Sequence, residues 1–268
     1  MGAGKAMRPL AAMPEATRRG IRGVLTDIDD TLSTHGRLTA AAFAAMERLR
    51  AAGRLVIPIT GRPAGWCDHI ARMWPVDAVV GENGALYMRY DAAARRLVRR
   101  FAVDATTRRA NRARLTSIGE KIVAAVPGCA LASDQVYRET DLAIDFREDV
   151  PPLPRAAVDR IVASMQAEGM TAKVSSIHVN GWFGSYDKLS MTHTLCAEVF
   201  GIDIDTERDR FAFAGDSPND APMFAFFPNA VGVANVRDFA DRIATLPAYV
   251  TQAEAGAGFA ELADFLLA

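Results

Sequence analysis

Short apolar runs alternate with helical patterns near both ends of the chain. The stretch Ile21–Ile28 precedes an Ala-rich helical segment that begins after Thr39 and ends near Gly53, and the next apolar run is Leu55–Ile59. Apolar runs of this length are typical of parallel strands that are buried on both faces. Strands that alternate with helices in this way predict the α/β class, with a doubly wound parallel sheet.

The pattern changes after residue 84. Paired strands are predicted at Ala85–Tyr90 and Leu97–Val103, and two longer helices at Ala105–Val126 and Arg155–Glu168. Hairpins that are followed by helices are typical of an α+β unit, in contrast to the strand–helix alternation before and after them. The middle of the chain is therefore predicted to be a separate, inserted domain.

These patterns divide the chain into three parts. Residues 21–84 and 185–268 are expected to form a Rossmann-like core. Residues 85–184 are expected to form the inserted α+β domain. Residues 1–20 are small, basic and without an apolar run, so we expect a flexible N-terminal extension.

Composition narrows the range of functions. The formal net charge of the 268 residues is -1, which argues against binding to nucleic acid or to an anionic membrane. No apolar run approaches the ~20 residues of a membrane span. The three cysteines are far apart and form no CxxC pair, so neither a disulfide framework nor a zinc site is expected. The expected location is cytoplasmic, and the sequence does not indicate an oligomeric state.

Carboxylates follow two of the predicted strands. Asp27 and Asp29 come at the end of the first strand, and Asp216 and Asp220 follow the apolar run Phe211–Ala214. Open α/β sheets bind ligands beyond the C-terminal ends of their strands. Several carboxylates in one place repel each other and require a cation. Oxygen ligands favour a hard divalent ion, and Mg²⁺ is the expected cofactor.

Four short polar motifs occur in a characteristic order: Asp27-Ile28-Asp29-Asp30-Thr31, Thr60-Gly61-Arg62, Lys188, and Gly215-Asp216-Ser217-Pro218-Asn219-Asp220. They resemble the four motifs of the haloacid dehalogenase-like (HAD) phosphohydrolase superfamily. The insertion between the second and third motifs resembles the α+β cap (type C2B) of the subfamily IIB, or Cof-type, branch. This resemblance implies that residues 21–84 and 185–268 form a catalytic core and that the cap, residues 85–184, determines substrate specificity. That branch includes sucrose-phosphate, mannosyl-phosphoglycerate and trehalose-phosphate phosphatases. The run Gly81–Ala85 resembles the hinge between core and cap in this branch.

The resemblance and the chemistry of phosphate esters imply roles for the acids. Asp27 is the candidate nucleophile, because a carboxylate can form an aspartyl-phosphate and divide hydrolysis into two steps. Asp29 is the candidate general acid and base. The expected metal ligands are Asp27, Asp216 and the backbone carbonyl of Asp29. Asp220 is expected to bind the metal through a water molecule or to support the direct ligands without contacting the metal.

The remaining motif residues are expected to bind substrate. Thr60 and Lys188 would bind the phosphoryl oxygens and share in catalysis, and Lys188 would also balance the acids. The other predicted substrate-binding residues are Gly61, Arg62 and Asn219 in the core, and Lys173, His178 and Asn180 in the inserted domain. Two alternatives stay open. Arg62 could be an ion-pair partner instead of a substrate contact, and Asn219 could be a plain helix cap.

The sequence therefore predicts a Mg²⁺-dependent phosphatase, a phosphoric monoester hydrolase, acting on a small phosphorylated metabolite such as a sugar phosphate. One alternative is a phosphomutase, which would return the phosphoryl group to the substrate. Another is a non-hydrolytic phospho-aspartate signalling or sugar-phosphate-binding protein. Asp29 argues against signalling, because an acid placed to activate water shortens the lifetime of a phosphoryl group.

Overall fold

The structure is a computed structural model that describes residues 7–268. The α-helices are α1 Glu15–Gly20, α2 Ala40–Ala51, α3 Ala64–Met73, α4 Ala105–Ala125, α5 Arg155–Ala167, α6 Lys188–Leu195, α7 Ile204–Glu207, α8 Ala221–Phe226 and α9 Ala255–Leu267. The strands are β1 Arg8–Pro9, β2 Gly23–Thr26, β3 Ser33–Thr34, β4 Arg37–Leu38, β5 Leu55–Pro58, β6 Val79–Gly81, β7 Leu86–Asp91, β8 Arg96–Phe101, β9 Ala130–Leu131, β10 Asp141–Asp145, β11 Thr171–Val174, β12 His178–Trp182, β13 Phe211–Gly215, β14 Asn229–Gly232 and β15 Tyr249–Val250.

A parallel sheet lies at the centre of the molecule. Its strands are hydrogen-bonded in the order β1-β15-β14-β13-β2-β5, and all five pairs are parallel. A parallel bridge between Ile59 and Val80 continues this sheet into the antiparallel strands β6, β7 and β8. The predicted α/β class and the predicted parallel sheet are confirmed.

Helices cover both faces of the central sheet. Val24 packs in a cluster with Met46 of α2 and Phe259 of α9, while the next residue, Leu25, packs in a second cluster with Met191 of α6. Successive side chains of a strand point to opposite faces, so β2 is buried on both sides. This double burial explains why the strand is an apolar run instead of an alternating one.

The segment from α4 to β12 has a hydrophobic core of its own. Its antiparallel sheet has the order β11-β12-β10-β9. Leu142, Ile144 and Val179 on one face of this sheet pack against Ile118 of α4 and Ile161 of α5. The other face carries Ala143 and Trp182 together with four polar residues that are also buried: Asp141, Asp145, His178 and Asn180, each no more than 2% exposed.

The hairpin of β7 and β8 packs with the core. Leu86 and Met88 belong to the same cluster as Val24, and Tyr87 belongs to the cluster on the opposite face. The sequence predicts this hairpin to be part of the inserted domain, because a short apolar run predicts a strand without indicating which sheet the strand joins. We propose instead that the inserted domain begins at Asp104, which caps α4.

The segment before β2 also differs from its prediction. β1 pairs in parallel with β15 at the edge of the central sheet, and α1 follows it. Leu10 and Met13 are 3% and 4% exposed, so they anchor the segment in the core. The structure thus contradicts a flexible extension for residues 8–20, while residues 1–6 of that prediction lie outside the described part. Two isolated apolar residues and a two-residue strand are too short to produce a periodic signal.

A buried acid joins the core to the inserted domain. Glu82 is 0% exposed. Its carboxylate accepts hydrogen bonds from the N–H groups of Ala64, at the start of α3, and of Glu139, both at 2.9 Å. It also accepts from the N–H of Thr140 at 2.7 Å and from the hydroxyl of that residue. Burial, together with the charge of Asp141, raises the pKa of Glu82 to about 7.

Gly84 is required by a close approach of two backbone segments. Its φ angle is +101°, and a Cβ there would overlap the carbonyl of Asp187, next to Lys188. We expect Gly84→Ala to lower the free energy of unfolding by at least about 3 kcal/mol, from left-handed backbone strain and overpacking together. Gly201→Ala is the matched control, because Gly201 has a φ of +63° and nothing within 4 Å. In urea denaturation, Gly201→Ala should lower the free energy of unfolding by only about 1 kcal/mol. Equal losses of stability in the two variants would contradict the close approach of Gly84 to the Asp187 carbonyl.

Candidate active site

Asp27 and Asp216 lie at the C-terminal ends of neighbouring strands. The register pairs Thr26 of β2 with Ala214 of β13, and the N–H of Asp27 donates to the Ala214 carbonyl at 2.8 Å. Parallel neighbours in register bring the next residues of both strands to the same edge of the sheet. Both acids are buried there, with Asp27 4% and Asp216 0% exposed.

Asp220 joins this pair from the 3₁₀ turn Pro218–Asp220. Its Oδ2 accepts hydrogen bonds from the N–H groups of the two residues after Gly215, at 3.1 and 3.2 Å. A Cβ at Gly215 would press against the Asp220 carboxylate, so glycine allows this compact turn. One carboxylate oxygen each of Asp27, Asp216 and Asp220 lies within 4.8 Å of the other two.

Lys188 balances part of this negative charge. It is the first residue of α6, which begins with a capping box formed by Asp187 and Ser190. Its Nζ donates to Asp27 Oδ1 and to Asp220 Oδ1, both at 2.7 Å. Although burial by itself would lower it, the charges of the two carboxylates raise the pKa of Lys188 above its ordinary value. The side chain is therefore a buried ammonium group at the centre of the acids.

One ammonium group does not neutralise three carboxylates. Burial, opposed by Lys188 and reinforced by the charge of Asp220, raises the pKa of Asp27 to about 8. Burial and the charge of Asp27 likewise raise the pKa of Asp216 well above its ordinary value. Both shifts mean that burial and the neighbouring acids disfavour the ionised form of these carboxyls. Three buried oxygen donors with an excess of negative charge fit a hard divalent cation such as Mg²⁺.

Of the four predicted metal ligands, three have their carboxylates together. The Asp29 side chain points elsewhere, and both of its oxygens accept from Nε of Arg62, at 2.8 and 3.1 Å. The predicted contribution of Asp29 to the metal is its backbone carbonyl, and that stays a prediction.

Thr60 and Gly61 form a tight turn against two asparagines. The hydroxyl of Thr60 accepts from the N–H of Arg62 at 3.0 Å. Nδ2 of Asn219 lies 3.4 Å from Oδ1 of Asn83. Asn83 also lies against Gly61, where a Cβ would be 3.0 Å from Asn83 Nδ2. The sequence-predicted Thr60, Gly61 and Asn219 therefore lie together, and Asn83 joins them from the linker to the inserted domain.

The three residues predicted in the inserted domain have different surroundings. His178 Nε2 lies 2.9 Å from Oε2 of Glu148. Asn180 is buried, and its Nδ2 donates to Asp141 at 2.9 Å. Lys173 is exposed on β11, opposite Asn180 in register. Since β11 lies beside the Pro218–Asp220 turn, Lys173 remains at the boundary with the core.

Several residues of the site were missed from the sequence. Asn235 Nδ2 lies 3.2 Å from the Asp216 carboxylate, which Thr31 of the first motif also approaches, with its Oγ1 at 3.4 Å. Glu148 and Asp134 reach Arg62 from the inserted domain. Asn235 comes shortly after β14, which is a usable signal, because ligands bind beyond the C-terminal ends of strands in open α/β sheets. Glu148 stands among other charged residues in a turn, which gives no such signal.

A polar cavity of about 260 Å³ lies between the core and the inserted domain. Core loops and the turn after β10 line it together, with Asp29, Ser33, His35, Arg62, Arg147 and Glu148 among its residues. Its size and polarity suit a small hydrophilic molecule. An apolar cavity of about 410 Å³ beside Trp66 and Tyr137 includes none of the clustered acids.

Comparisons with solved structures agree with this architecture. A HAD/COF-like hydrolase from Plasmodium vivax is 16% identical over 93% of this chain and 96% of that one, with a TM-score of 0.66. The sucrose-phosphatase from Synechocystis, solved with sucrose and phosphate, is 16% identical over 92% and 98%, with a TM-score of 0.61. The C-terminal domain of C. albicans trehalose-6-phosphate phosphatase is 13% identical over 94% of both chains, with a TM-score of 0.66.

These similarities establish the fold. The chain has the fold of the HAD-like hydrolases of subfamily IIB, as the motifs indicated. No protein-family model and no curated protein sequence matched the chain. Within residues 7–268, none of the helices has the length and apolar character needed to cross a membrane.

Proposed function

We propose that this protein is a Mg²⁺-dependent phosphatase that hydrolyses a small phosphorylated metabolite through an aspartyl-phosphate intermediate. The observation that carries the proposal is the buried cluster of Asp27, Asp216 and Asp220 around Lys188, in which Asp216 lines a cavity of about 180 Å³. Asp27 and Asp216, with the Asp29 carbonyl, would hold Mg²⁺, and Asp220 would support them. The bound ion would withdraw charge from the phosphoryl group.

The residues of the chain divide the reaction into two steps. In the first, a carboxylate oxygen of Asp27 forms a bond to phosphorus while the ester oxygen leaves and takes a proton from Asp29. In the second, water attacks the phosphorus of the aspartyl-phosphate and gives a proton to Asp29. Inorganic phosphate then leaves, and Asp27 is regenerated. Lys188 offsets the negative charge that the phosphate adds to the cluster.

Donors for the phosphoryl oxygens are present on the other side of Asp27. Asn83 Nδ2 is buried and has no hydrogen-bond partner among the described residues. Such an orphaned donor is costly unless a ligand or water accepts from it. We assign Asn83, the Thr60 hydroxyl, the Gly61 backbone and Asn219 to phosphate binding, because they lie together.

A sugar phosphate is the substrate class that we propose. Similar folds belong to proteins described as a sucrose-phosphatase and a trehalose-6-phosphate phosphatase. Of the nine residues that line the polar cavity between core and inserted domain, five are charged and only Ile177 has a large apolar side chain, which suits a hydrophilic molecule such as a sugar phosphate. His178, Asn180 and Lys173 are the proposed specificity residues of the inserted domain. We keep the cytoplasmic location expected from the sequence as part of this proposal.

Phosphate release from p-nitrophenyl phosphate, with 5 mM MgCl₂ and with EDTA, tests the activity. We expect turnover with Mg²⁺ and loss of turnover with EDTA, because the excess negative charge of the cluster would repel the ester. A panel of phosphorylated sugars and glycerates then tests the substrate class. An isomerised phosphate ester without release of free phosphate would identify a mutase and refute the phosphatase. A stable phosphoprotein without turnover would identify a signalling domain.

A further inference from the structure

Arg62 connects the proposed general acid and base to the inserted domain. Its side chain is only 4% exposed and contacts three carboxylates: Asp29 of the core, and Asp134 and Glu148 of the inserted domain. The two partners in the inserted domain lie 72 and 86 residues further along the chain. The guanidinium group is thus a direct link between Asp29 and the part of the molecule expected to read the substrate.

Four of the five N–H donors of Arg62 form hydrogen bonds in these contacts, and Nη2 also lies at ion-pair distance from Asp29. Nε donates to Asp29. Nη2 lies 2.5 Å from Glu148 Oε1 and 2.8 Å from Asp29 Oδ1. Nη1 lies 3.2 Å from Glu148 Oε2 and 3.2 Å from Asp134 Oδ2. An arginine has five such donors and no acceptor. The predicted contact of Arg62 with substrate would require one of these ion pairs to break, so the structure favours the ion-pair alternative.

The position of the guanidinium group is determined from several sides. The carbonyl of Arg62 accepts from the N–H of Glu82 at 3.0 Å, and its guanidinium carbon lies 4.4 Å from the centre of the Trp66 ring. A planar cation that is stacked on a ring and bonded on its edge has little freedom to turn. Asp29, which accepts from Nε of this group and lies 2.8 Å from its Nη2, is therefore held in one orientation at the edge of the cavity.

Glu148 is itself held firmly by the inserted domain. Asp145 accepts from the N–H groups of residues 147, 148 and 149, each at 2.8 Å, which shapes the turn that carries Glu148. His178 approaches the same carboxylate from β12. Although burial opposes ionisation, hydrogen bonds from His178 and Arg62 lower the pKa of Glu148 to about 2. Glu148 is therefore a fixed anion, and its bidentate contact is the main attachment of Arg62 to the inserted domain.

Asp134 contributes less to this attachment. Arg138 donates to both of its oxygens, at 3.0 and 3.2 Å, whereas Arg62 reaches it with one contact. We propose that Arg62 is a positioning residue for Asp29, and that Glu148 of the inserted domain controls it by holding the guanidinium group. This inference rests on the proposed function, since it assumes that Asp29 transfers protons. Its consequence is that proton transfer to the leaving group depends on contact between the inserted domain and the core.

Esters with different leaving groups distinguish this role from a general structural one. p-Nitrophenolate leaves without a proton, while the alkoxide of glycerol phosphate requires one, and a positioned acid is worth about 100–10,000-fold. We expect Arg62→Ala and Glu148→Ala to lower kcat for glycerol phosphate at least about 10-fold more than kcat for p-nitrophenyl phosphate. Glu148→Gln, which keeps one acceptor for Nη2, should restore part of the difference. The double variant should lose no more than Arg62→Ala, because both changes remove one linkage.

Asp149→Ala is the matched control. Asp149 is an exposed acid on the same turn, and its side chain bonds to Ser133 instead of Arg62. Its ratio of the two kcat values should equal that of the wild type. If Glu148→Ala lowered kcat by the same factor on both esters, so that their ratio stayed at the wild-type value, the proposal would be overturned.

Failure of the proposed function has a different signature. Wild-type protein would then release no phosphate from either ester. Crystal structures of wild type and Glu148→Ala would in that case test the positioning alone. Arg62 and Asp29 are expected to change orientation in the variant, and unchanged orientations would overturn the inference.

Discussion

Asp27→Asn is expected to reduce phosphate release by at least about 10,000-fold, the scale of loss when a nucleophile is removed. The amide cannot form the acyl-phosphate bond, and it supplies no negative charge to a cation. The fold should survive, because Asn fits the same space and the N–H of residue 27 keeps its bond to Ala214. Burial raises the pKa of Asp27 to about 8, so the ionised carboxylate is unfavourable without a cation. The metal-free variant should melt no lower than the wild type.

The measurement is kcat on p-nitrophenyl phosphate together with the melting temperature. Asp68→Asn is the control, since Asp68 is an exposed acid of α3 that pairs with Arg72 at 2.7 Å. It should keep full activity. Substantial turnover by Asp27→Asn with the fold intact would refute a covalent mechanism at this residue.

The second large effect concerns Mg²⁺. At ten times its dissociation constant, a ligand that binds only the folded protein stabilises it by about 1.4 kcal/mol. For a chain of this size the melting temperature should rise by about 3–5 °C. Asp216→Asn should abolish both this rise and the activity, because Asp216 is 0% exposed and supplies one of three clustered donors.

Differential scanning calorimetry with MgCl₂ and with EDTA measures this shift. Asp264→Asn removes a carboxylate from the exposed ion pair with Arg48 and should leave the Mg²⁺-dependent rise unchanged. An equal rise in Asp216→Asn and wild type would mean that the cation binds elsewhere. Lys188 alone would then have to balance the negative charge of the three clustered carboxylates.

The core of the candidate site could be predicted from the sequence because it follows from local pattern and one topological rule. Apolar runs identified β2 and β13, and parallel strands in an open sheet present their C-terminal ends at one edge. The carboxylates of Asp27 and Asp216 therefore had to be neighbours once these strands were adjacent. Lys188 and Asp220 were assigned by their resemblance to known motifs, and the structure brings them to the same point.

Other parts of the structure could not be predicted in this way. The short apolar run of β7 predicted a strand but not its sheet, since such a run does not indicate which strands lie beside it. Leu10 and Met13 became core residues only through contact with distant elements. Neither case has a local signal, because the energy comes from apolar surface that meets across long separations in sequence.

Taken by itself, the sequence determined the α/β class, the strands that carry the acids and the chemical types available at their ends. Tertiary structure alone decided which charges pair. Arg62 follows a motif threonine and glycine, yet its partners Asp29, Asp134 and Glu148 are decided by how the inserted domain lies against the core. The physical reason is that an ion pair depends on distance and burial in three dimensions, whereas periodicity reports only which face of an element is buried.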